Sequence, residues 1–364
     1  PLRVETHARI CRGGAAVGRI LLHLALPSCL ARDSRQFIEA AFVEDGARGQ
    51  QVRLCLGDIE VVFERAGDQL RQARIVEKCP PGGLADGART GRELRLLATA
   101  HGLTSPRASV AEGGLGLSWE ECCAYLEVAG RSFLGPTALQ CAAPGQPDIV
   151  PLQALANERQ RNQYLAPLLA GDKRSCFAMT EPAPGVGSDP RMLLTRATQT
   201  DNGWTLDGHK WFASHAAIAD FAIVVARADA GVSLFLIDTR TPGFEVVRDV
   251  PTMEPFDLGG HAEIRLNQCK VPADALLGEE GRGLDYAQLR LEGARLFHCM
   301  RLIGMSSRAM HLAQDYATRR ASHGAQLSEH QMVQAMVADA HIDLHAARLM
   351  TVDTARRLDA GESL

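Results

Sequence analysis

The sequence predicts an α+β chain of several domains: an N-terminal helical domain, a central β-barrel or sandwich domain, and part of a C-terminal helical bundle. Two observations carry this. The hydrophobic period runs from helical, to two, and back to helical along the chain. The chain has 364 residues, enough for two or three packed domains. The boundaries fall at residues 1–87 (unassigned), 88–174 (helical), 175–280 (β) and 281–364 (helical).

Composition sets the frame. Hydrophobic residues make up 46% and charged residues 23%, ordinary values for a globular chain. The formal net charge is −4 with no basic stripe, which argues against a nucleic-acid partner. The 10 cysteines form no C-x-x-C and lie mostly in apolar stretches, as Cys176 does within Ser175–Met179. A reduced compartment fits them better than a disulfide framework. No apolar run reaches the ~20 residues of a membrane span, so no membrane role is expected.

The first 87 residues read poorly. Ile20–Leu30 is apolar and follows Arg3, Arg9, Arg12 and Arg19, the outline of a signal or transit segment, but His23 and Pro27 interrupt it. The reading therefore favours no targeting role. The chain opens on Pro1, so its true start is taken as lost. Gln51–Phe63 alternates as a strand does, and Gly67–Glu77 fits a helix, before Pro80-Pro81-Gly82-Gly83 breaks the chain.

From Thr90 the pattern is helical. Glu120, Cys123, Tyr125, Leu126, Val128 and Ala129 share helical spacing, and Glu158–Leu169 reads as a second helix. From Cys176 to Leu277 the period becomes two. Ala222–Ala226, Val232–Ile237, Phe244–Val247 and Ala262–Leu266 read as strands, and Thr205-Leu206-Asp207-Gly208 as a turn. Beyond Gly283 two helical stripes follow: Leu296, Met300, Ile303, Ser307 and Met310, then Met332, Val333, Met336, Val337 and Leu344. They predict an antiparallel pair turning at His323-Gly324, with Gly361 closing the second helix. Two such helices rarely bury both faces alone, which implies a partner surface.

Several motifs, in order, carry a more specific message. Ser175-Cys176-Phe177-Ala178-Met179-Thr180-Glu181-Pro182, then Gly187-Ser188-Asp189, resembles the flavin-binding signature of the acyl-CoA dehydrogenases. Glu112–Ser118 resembles that family's E-x-G-G-L-G-L-S loop, and Tyr164–Gly171 its YLPxLxxG helix end. Gly208–Ser214 is similar to its G-x-K-x-W-I-T/S strand, and Arg320–Gly324 with Glu329-His330-Gln331 to its R-x-T-F-G…E-H-Q turn. Leu296–Gly304 looks most like the subgroup of vertebrate family members ten and eleven and their bacterial relatives. In isolation each motif has a bland reading: Thr180-Glu181-Pro182 as a strand start, Ser214 as a polar strand residue, Arg320 as a solvated charge. The shared order from Glu93 to Leu364 decides for the family.

The resemblance implies FAD as cofactor and α,β-dehydrogenation of an acyl-CoA thioester, with electrons leaving to an electron-transfer flavoprotein. It implies that Phe177, Met179 and Thr180 run along the flavin, that Phe212 packs on the ring beside Trp211, and that Ser214 hydrogen-bonds near N5. Arg320, Ser322 and Gln331 would reach FAD of a neighbouring subunit; Ser188 and Arg295 would face the substrate. It implies a homodimer or homotetramer, in the cytoplasm or, in a eukaryote, the mitochondrial matrix. A related flavin oxidase and a non-catalytic FAD- or acyl-CoA-binding scaffold are the competing readings. His341 and His345, an i,i+4 pair, lack a third ligand, so no metal is expected.

Three departures stand out. Ala183-Pro184-Gly185-Val186 makes the turn before Gly187 two residues longer than the family's common form. His323 stands where the family has Phe. The usual catalytic carboxylate would lie beyond Leu364, and the alternative position, just before Arg295, is Ala294. Glu292, two residues away, points about 160° from that direction on an ideal helix. The expectation is therefore a chain with no catalytic residue of its own and impaired activity.

Overall fold

A computed structural model describes five strands in the first 87 residues, without their side chains, and residues 94–362 other than 97, 133 and 253–258. The five strands, β1 (Val17–Leu22), β2 (Ile38–Glu44), β3 (Gln50–Leu56), β4 (Ile59–Ala66) and β5 (Gln69–Lys78), pair antiparallel in sequence order. The segment predicted as a helix, Gly67–Glu77, therefore falls largely in strand β5. Its Gln, Arg and Leu residues are good helix formers, but pairing with β4, Phe63 opposite Ala73, overrides that local preference. The other readings made for residues 1–37 lie largely outside the described residues.

Chain contacts divide the molecule into two compact units. The first holds residues 1–85, 117–137 and 298–364. Within it, helix α1 (Trp119–Gly130) starts on a capping box: Glu121 N–H donates to Ser118 Oγ at 3.1 Å, and Ser118 N–H to Glu121 Oε2 at 2.8 Å. Asp359 adds a carboxylate over the same helix start, accepting from Trp119 N at 2.9 Å and Glu120 N at 3.0 Å. Negative charge suits a helix N-terminus, where amides have no intrahelical acceptor.

Residues 298–319 belong to the long helix α3 (Gly283–Arg319), and α4 (Gln331–Asp359) follows. They join at the turn where His323 and Gly324 take φ of 55° and 81°. The chain leaves α4 as the sequence suggested: Gly361, at φ 78°, donates to Leu358 O at 3.0 Å. On α3 the predicted stripe faces inward, with Met300, Ile303 and Ser307 buried. On α4 Met332 and Met336 are 73% and 63% exposed, so that stripe has little cover among the described residues. His341 Nε2 lies 2.7 Å from Gln314 Nε2.

Backbones of α1 and α3 meet closely at two glycines. A Cβ on Gly130 would sit 2.2 Å from Arg301 O, and one on Gly304 would sit 2.0 Å from Glu127 O. The adjoining Glu127 carboxylate holds Arg348 of α4 at 2.7 Å.

The second unit holds residues 86–116 and 138–297. Its helical part comprises α2 (Gly145–Leu155) and the helical run from Glu158 to Leu169, whose middle, Arg161–Leu165, widens to π geometry. Its sheet comprises β6 (Ser175–Ala178), β7 (Arg196–Thr200), β8 (Gly203–Ser214), β9 (Phe221–Ala228), β10 (Gly231–Asp238), β11 (Phe244–Asp249), β12 (His261–Val271) and β13 (Leu276–Leu277). The order is β11-β12-β8-β7-β9-β10-β13, with β6 parallel to β9.

This is a mixed sheet without barrel closure, which corrects the predicted barrel. One core lies between its two halves: Trp204, Leu206, Ile264 and Leu266 from one side, Ala222, Val224, Phe235 and Ile237 from the other. Trp204 and Phe235 meet edge-on at 5.2 Å. A second core lies behind it, where Phe221, Ile223, Val225, Leu234 and Leu236 meet Ile149, Leu152, Tyr164, Leu165 and Leu168. Strand β9 is thus buried on both faces, which is why its sequence is a continuous apolar run. The predicted turn at Thr205-Leu206-Asp207-Gly208 is the middle of β8. The chain reverses just before it, at Asp201-Asn202, with Gly203 at φ 136°.

Gly304→Ala is expected to destabilise the protein by roughly 1–3 kcal/mol, as overpacking does. Urea unfolding measures it; an unchanged midpoint would mean that α1 and α3 separate without cost.

Candidate functional site

The run after β6 is fixed by one buried carboxylate. Glu181 Oε1 accepts from Lys210 Nζ at 2.9 Å and Thr195 N at 2.9 Å; Oε2 accepts from Leu194 N at 2.7 Å and Val186 N at 3.3 Å. Thr195 Oγ1 also donates to Oε1. Lys210 is fully buried and gives a further hydrogen bond to Met179 O at 3.1 Å. Burial alone would raise the Glu181 carboxyl, but the Lys210 ammonium and the converging donors bring it down to about 2. Burial lowers Lys210 to about 8 against the pull of Glu181.

Two glycines make room for this knot. A Cβ on Gly208 would lie 2.3 Å from Thr195 Oγ1, and one on Gly185 would lie 2.5 Å from Glu181 Oε2. The longer turn therefore folds inward on Glu181: Glu181 N donates to Val186 O, and Gly185 N to Pro182 O, each at 2.8 Å. Val186 is buried, and Ser188 emerges exposed beyond it. Asp189 Oδ1 then accepts from Arg191 N at 3.0 Å.

Strand β8 runs beside this turn, with Trp211 N donating to Thr180 O at 2.8 Å. Its pairing with β12 slips between Lys210↔Ile264 and Ala213↔Ala262, so two residues, Trp211 and Phe212, oppose Glu263 alone. At this bulge Phe212 takes φ of 53°, costly for a large side chain, and stands 51% exposed. Glu263 anchors the bulge, holding His209 Nε2 and Arg248 Nε, each at 2.7 Å, and the Arg248 guanidinium lies 5.8 Å from the Trp211 ring centre. Ser214, after the bulge, is half-buried, its Oγ 2.8 Å from His261 Nδ1.

Phe177 is held from the other side. The Arg290 guanidinium lies 4.0 Å from its ring centre, and Arg290 Nε donates to Asp148 Oδ1 at 2.5 Å. Asp148 is fully buried; burial pushes its carboxyl up, opposed by Arg290 and by Ser175 Oγ at 2.6 Å.

Of the residues singled out in the sequence, Phe177, Met179, Thr180, Phe212 and Ser214 lie on the adjoining β6 and β8 runs. Ser188 is on the exposed loop, and Arg295 is exposed on α3. Ala294 beside it is buried and Glu292 half-buried. Arg320, Ser322 and Gln331 cluster at the α3–α4 turn of the other unit, where Arg320 N donates to Tyr316 O at 2.9 Å. Sequence reading assigned no role to Lys210, His261, Glu263 or the Asp148–Arg290 pair. The lysine stood inside a quoted motif, but the others meet their partners only across strands or helices.

The donor set suits a flat heteroaromatic cofactor. β6 pairs only with β9, so the far edge of Phe177–Ala178 has no strand partner among the described residues. Thr180 follows β6 directly and meets β8 at Trp211, next in sequence to the exposed Phe212 ring. FAD presents such a ring and such an edge, and the residues fit it.

Known proteins resemble this chain over about three quarters of its length. Residues 176–269 match the family described as "Acyl-CoA dehydrogenase, middle domain", and residues 281–364 match "Acyl-CoA dehydrogenase, C-terminal domain". "Probable acyl-CoA dehydrogenase FadE2" of Mycobacterium tuberculosis is 36% identical over 73% of this chain and 67% of its own length. Human "Acyl-CoA dehydrogenase family member 11" is 32% identical over 67% of this chain but 33% of its own, so the chain spans about a third of that relative. Among solved structures, "PigA with FAD and proline" superposes with a TM-score of 0.69 at 26% identity, covering 76% of this chain and 75% of that one. Fold and matches define an oxidoreductase with helical segments and a mixed sheet. The chain belongs to the acyl-CoA dehydrogenase family.

Among the described residues, no helix is long and apolar enough to cross a membrane, and no group of three or more His, Cys, Asp or Glu side chains could hold a metal.

Glu181→Gln leaves Lys210 buried without its counter-charge and is expected to cost about 3–5 kcal/mol near neutral pH. Glu181 ordinarily titrates at 4.5 and is held at about 2 in the fold. Its contribution is complete above the ordinary value and lost as pH falls toward the folded one. The stability gap between parent and variant, followed by urea unfolding, should therefore narrow as pH drops below 4.5. A gap constant down to acid pH would refute the assignment.

Proposed function

We propose that this chain binds FAD along Phe177–Thr180, Phe212 and Ser214 and serves the α,β-dehydrogenation of an acyl-CoA thioester. The observation that carries this reading is the meeting of the run just after β6 with the bulged β8 strand, through Trp211 N and Thr180 O. When bound, FAD accepts the hydride from the β-carbon of the acyl chain. The chain's own residues hold and orient the ring. Backbone groups of Phe177–Met179 and the Thr180 hydroxyl meet its edge, Phe212 covers a face, and Ser214 hydrogen-bonds near N5. Arg320, Ser322 and Gln331 reach FAD of a neighbouring subunit, where an arginine fork suits a pyrophosphate. Ser188 and Arg295 face the thioester substrate. Electrons leave to an electron-transfer flavoprotein, in the cytoplasm or a mitochondrial matrix.

The general base is a separate question. The alternative family position on α3 is Ala294, which is buried and carries no carboxylate. A positioned base contributes about 10²–10⁴-fold. On α3 the reading is thus of a flavin and substrate platform that supplies no carboxylate at the alternative base position.

Self-association as a homodimer or homotetramer belongs to the same reading, supported by the exposed Met332, Met336, Ile342, Leu349 and Met350 on α4. Light scattering at micromolar concentration should show a dimer or larger; a clean monomer would exclude it.

FAD should raise the thermal midpoint of the purified chain in a concentration-dependent way. Phe212→Ala should weaken binding by roughly 2- to 10-fold, the worth of an aromatic contact. No FAD-dependent stabilisation would overturn the reading.

A further inference from the structure

His261 stands directly opposite Ser214 in the β8–β12 register, and its Nδ1 lies 2.8 Å from Ser214 Oγ. Ser214 is held from both sides of the chain as well: Ala213↔Ala262 pairs next to it, and His215 N donates to Gly260 O at 2.8 Å. The hydroxyl therefore has little freedom to move, but it can still turn its single proton. Both it and the imidazole are half-buried, so neither is wholly committed to solvent.

A serine hydroxyl donates once and accepts twice, whereas each nitrogen of a neutral imidazole either donates or accepts. A 2.8 Å contact is satisfied in two ways: Nδ1–H donates to Oγ, or Oγ–H donates to a bare Nδ1. Which one holds depends on what the hydroxyl does on its other side. Facing an acceptor, Oγ spends its proton there and must receive from Nδ1–H. Facing a donor, Oγ receives there and turns its proton to Nδ1.

We propose that His261 is a positioning residue that follows the redox state of the flavin through Ser214. This rests on the reading above, in which Ser214 faces flavin N5. That nitrogen accepts a hydrogen bond in oxidised FAD and carries a hydrogen, so donates one, in reduced FAD. The Ser214 proton reverses between the two states, and the His261 proton moves with it. Nδ1 is protonated beside oxidised FAD. Beside reduced FAD Nδ1 is bare, its proton released to water while Nε2 takes one up, so the imidazole gains and loses no net proton. The pair thereby offers Ser214 a complementary partner in both states, which a valine opposite Ser214 cannot do.

The test uses the full chain with ¹⁵N-labelled histidine, loaded with FAD, before and after reduction by dithionite under anaerobic conditions. The His261 resonances are those that vanish in His261→Asn. In the parent, the protonated nitrogen should switch from Nδ1 to Nε2 on reduction. In Ser214→Ala, which still carries His261, the same nitrogen should stay protonated in both states, a loss that a purely structural imidazole would not show. His261→Asn, whose amide can donate or accept near the Nδ1 position, should keep FAD binding, while His261→Leu should not keep it fully. An unchanged His261 tautomer in the FAD-loaded parent, or a switch that survives Ser214→Ala, would overturn this inference alone. A parent that holds no FAD would overturn it together with the functional reading.

Discussion

Much of the candidate site hangs on the Glu181–Lys210 ion pair. A carboxylate and an ammonium withdrawn from water are stable only if every remaining lone pair and proton is answered. Here the answers come from separate segments. Leu194 and Thr195 are fixed at the entry to β7, Val186 in the turn, Lys210 in the middle of β8, and the Met179 carbonyl at the end of β6. Gly208 is pinned by the same knot, because only a residue without Cβ can pass Thr195. The edge of β6 and the bulge of β8 keep their spacing because both are tied to one buried charge. The same constraint explains how the longer turn is tolerated. Its two extra residues fold against Glu181 instead of lengthening an exposed loop.

Around that anchor the chain stores strain where contact with a ligand is useful. Phe212 is a bulky residue in left-handed backbone geometry, half-exposed, on a strand otherwise buried or half-buried. Such a conformation survives only where the surroundings over-determine it. Here Glu263 closes the opposite strand with His209 and Arg248, and Trp211, just before Phe212, is held by its N–H to Thr180 O. Phe177 has a comparable support in the Arg290 guanidinium, itself neutralised by Asp148.

The strands that read as apolar runs, Ala222–Ala226 and Val232–Ile237, are those buried on both faces, and the long helices read from their stripes are present with the turn at His323-Gly324. Periodicity works there because burial repeats along the element. It failed for Thr205-Leu206-Asp207-Gly208, where turn-forming residue types sit inside a strand because β7 and β12 pair on either side. It failed too for Gly67–Glu77, whose strand identity comes from β4 and not from its own composition. Closure of the sheet was equally out of reach, since period two is the same in a barrel, a sandwich and an open sheet.

By itself the sequence determined the family and the order of most helical and strand segments, because those signals are local: residue types at fixed spacing. Tertiary structure alone decided that Glu181 and Lys210 form one buried pair, that the bulge turns Phe212 outward, and that His261 meets Ser214. Each of these joins residues at least 29 positions apart, or depends on a one-residue slip between paired strands. Charge, hydrogen bonding and register are properties of who stands opposite whom, and a linear pattern does not contain that.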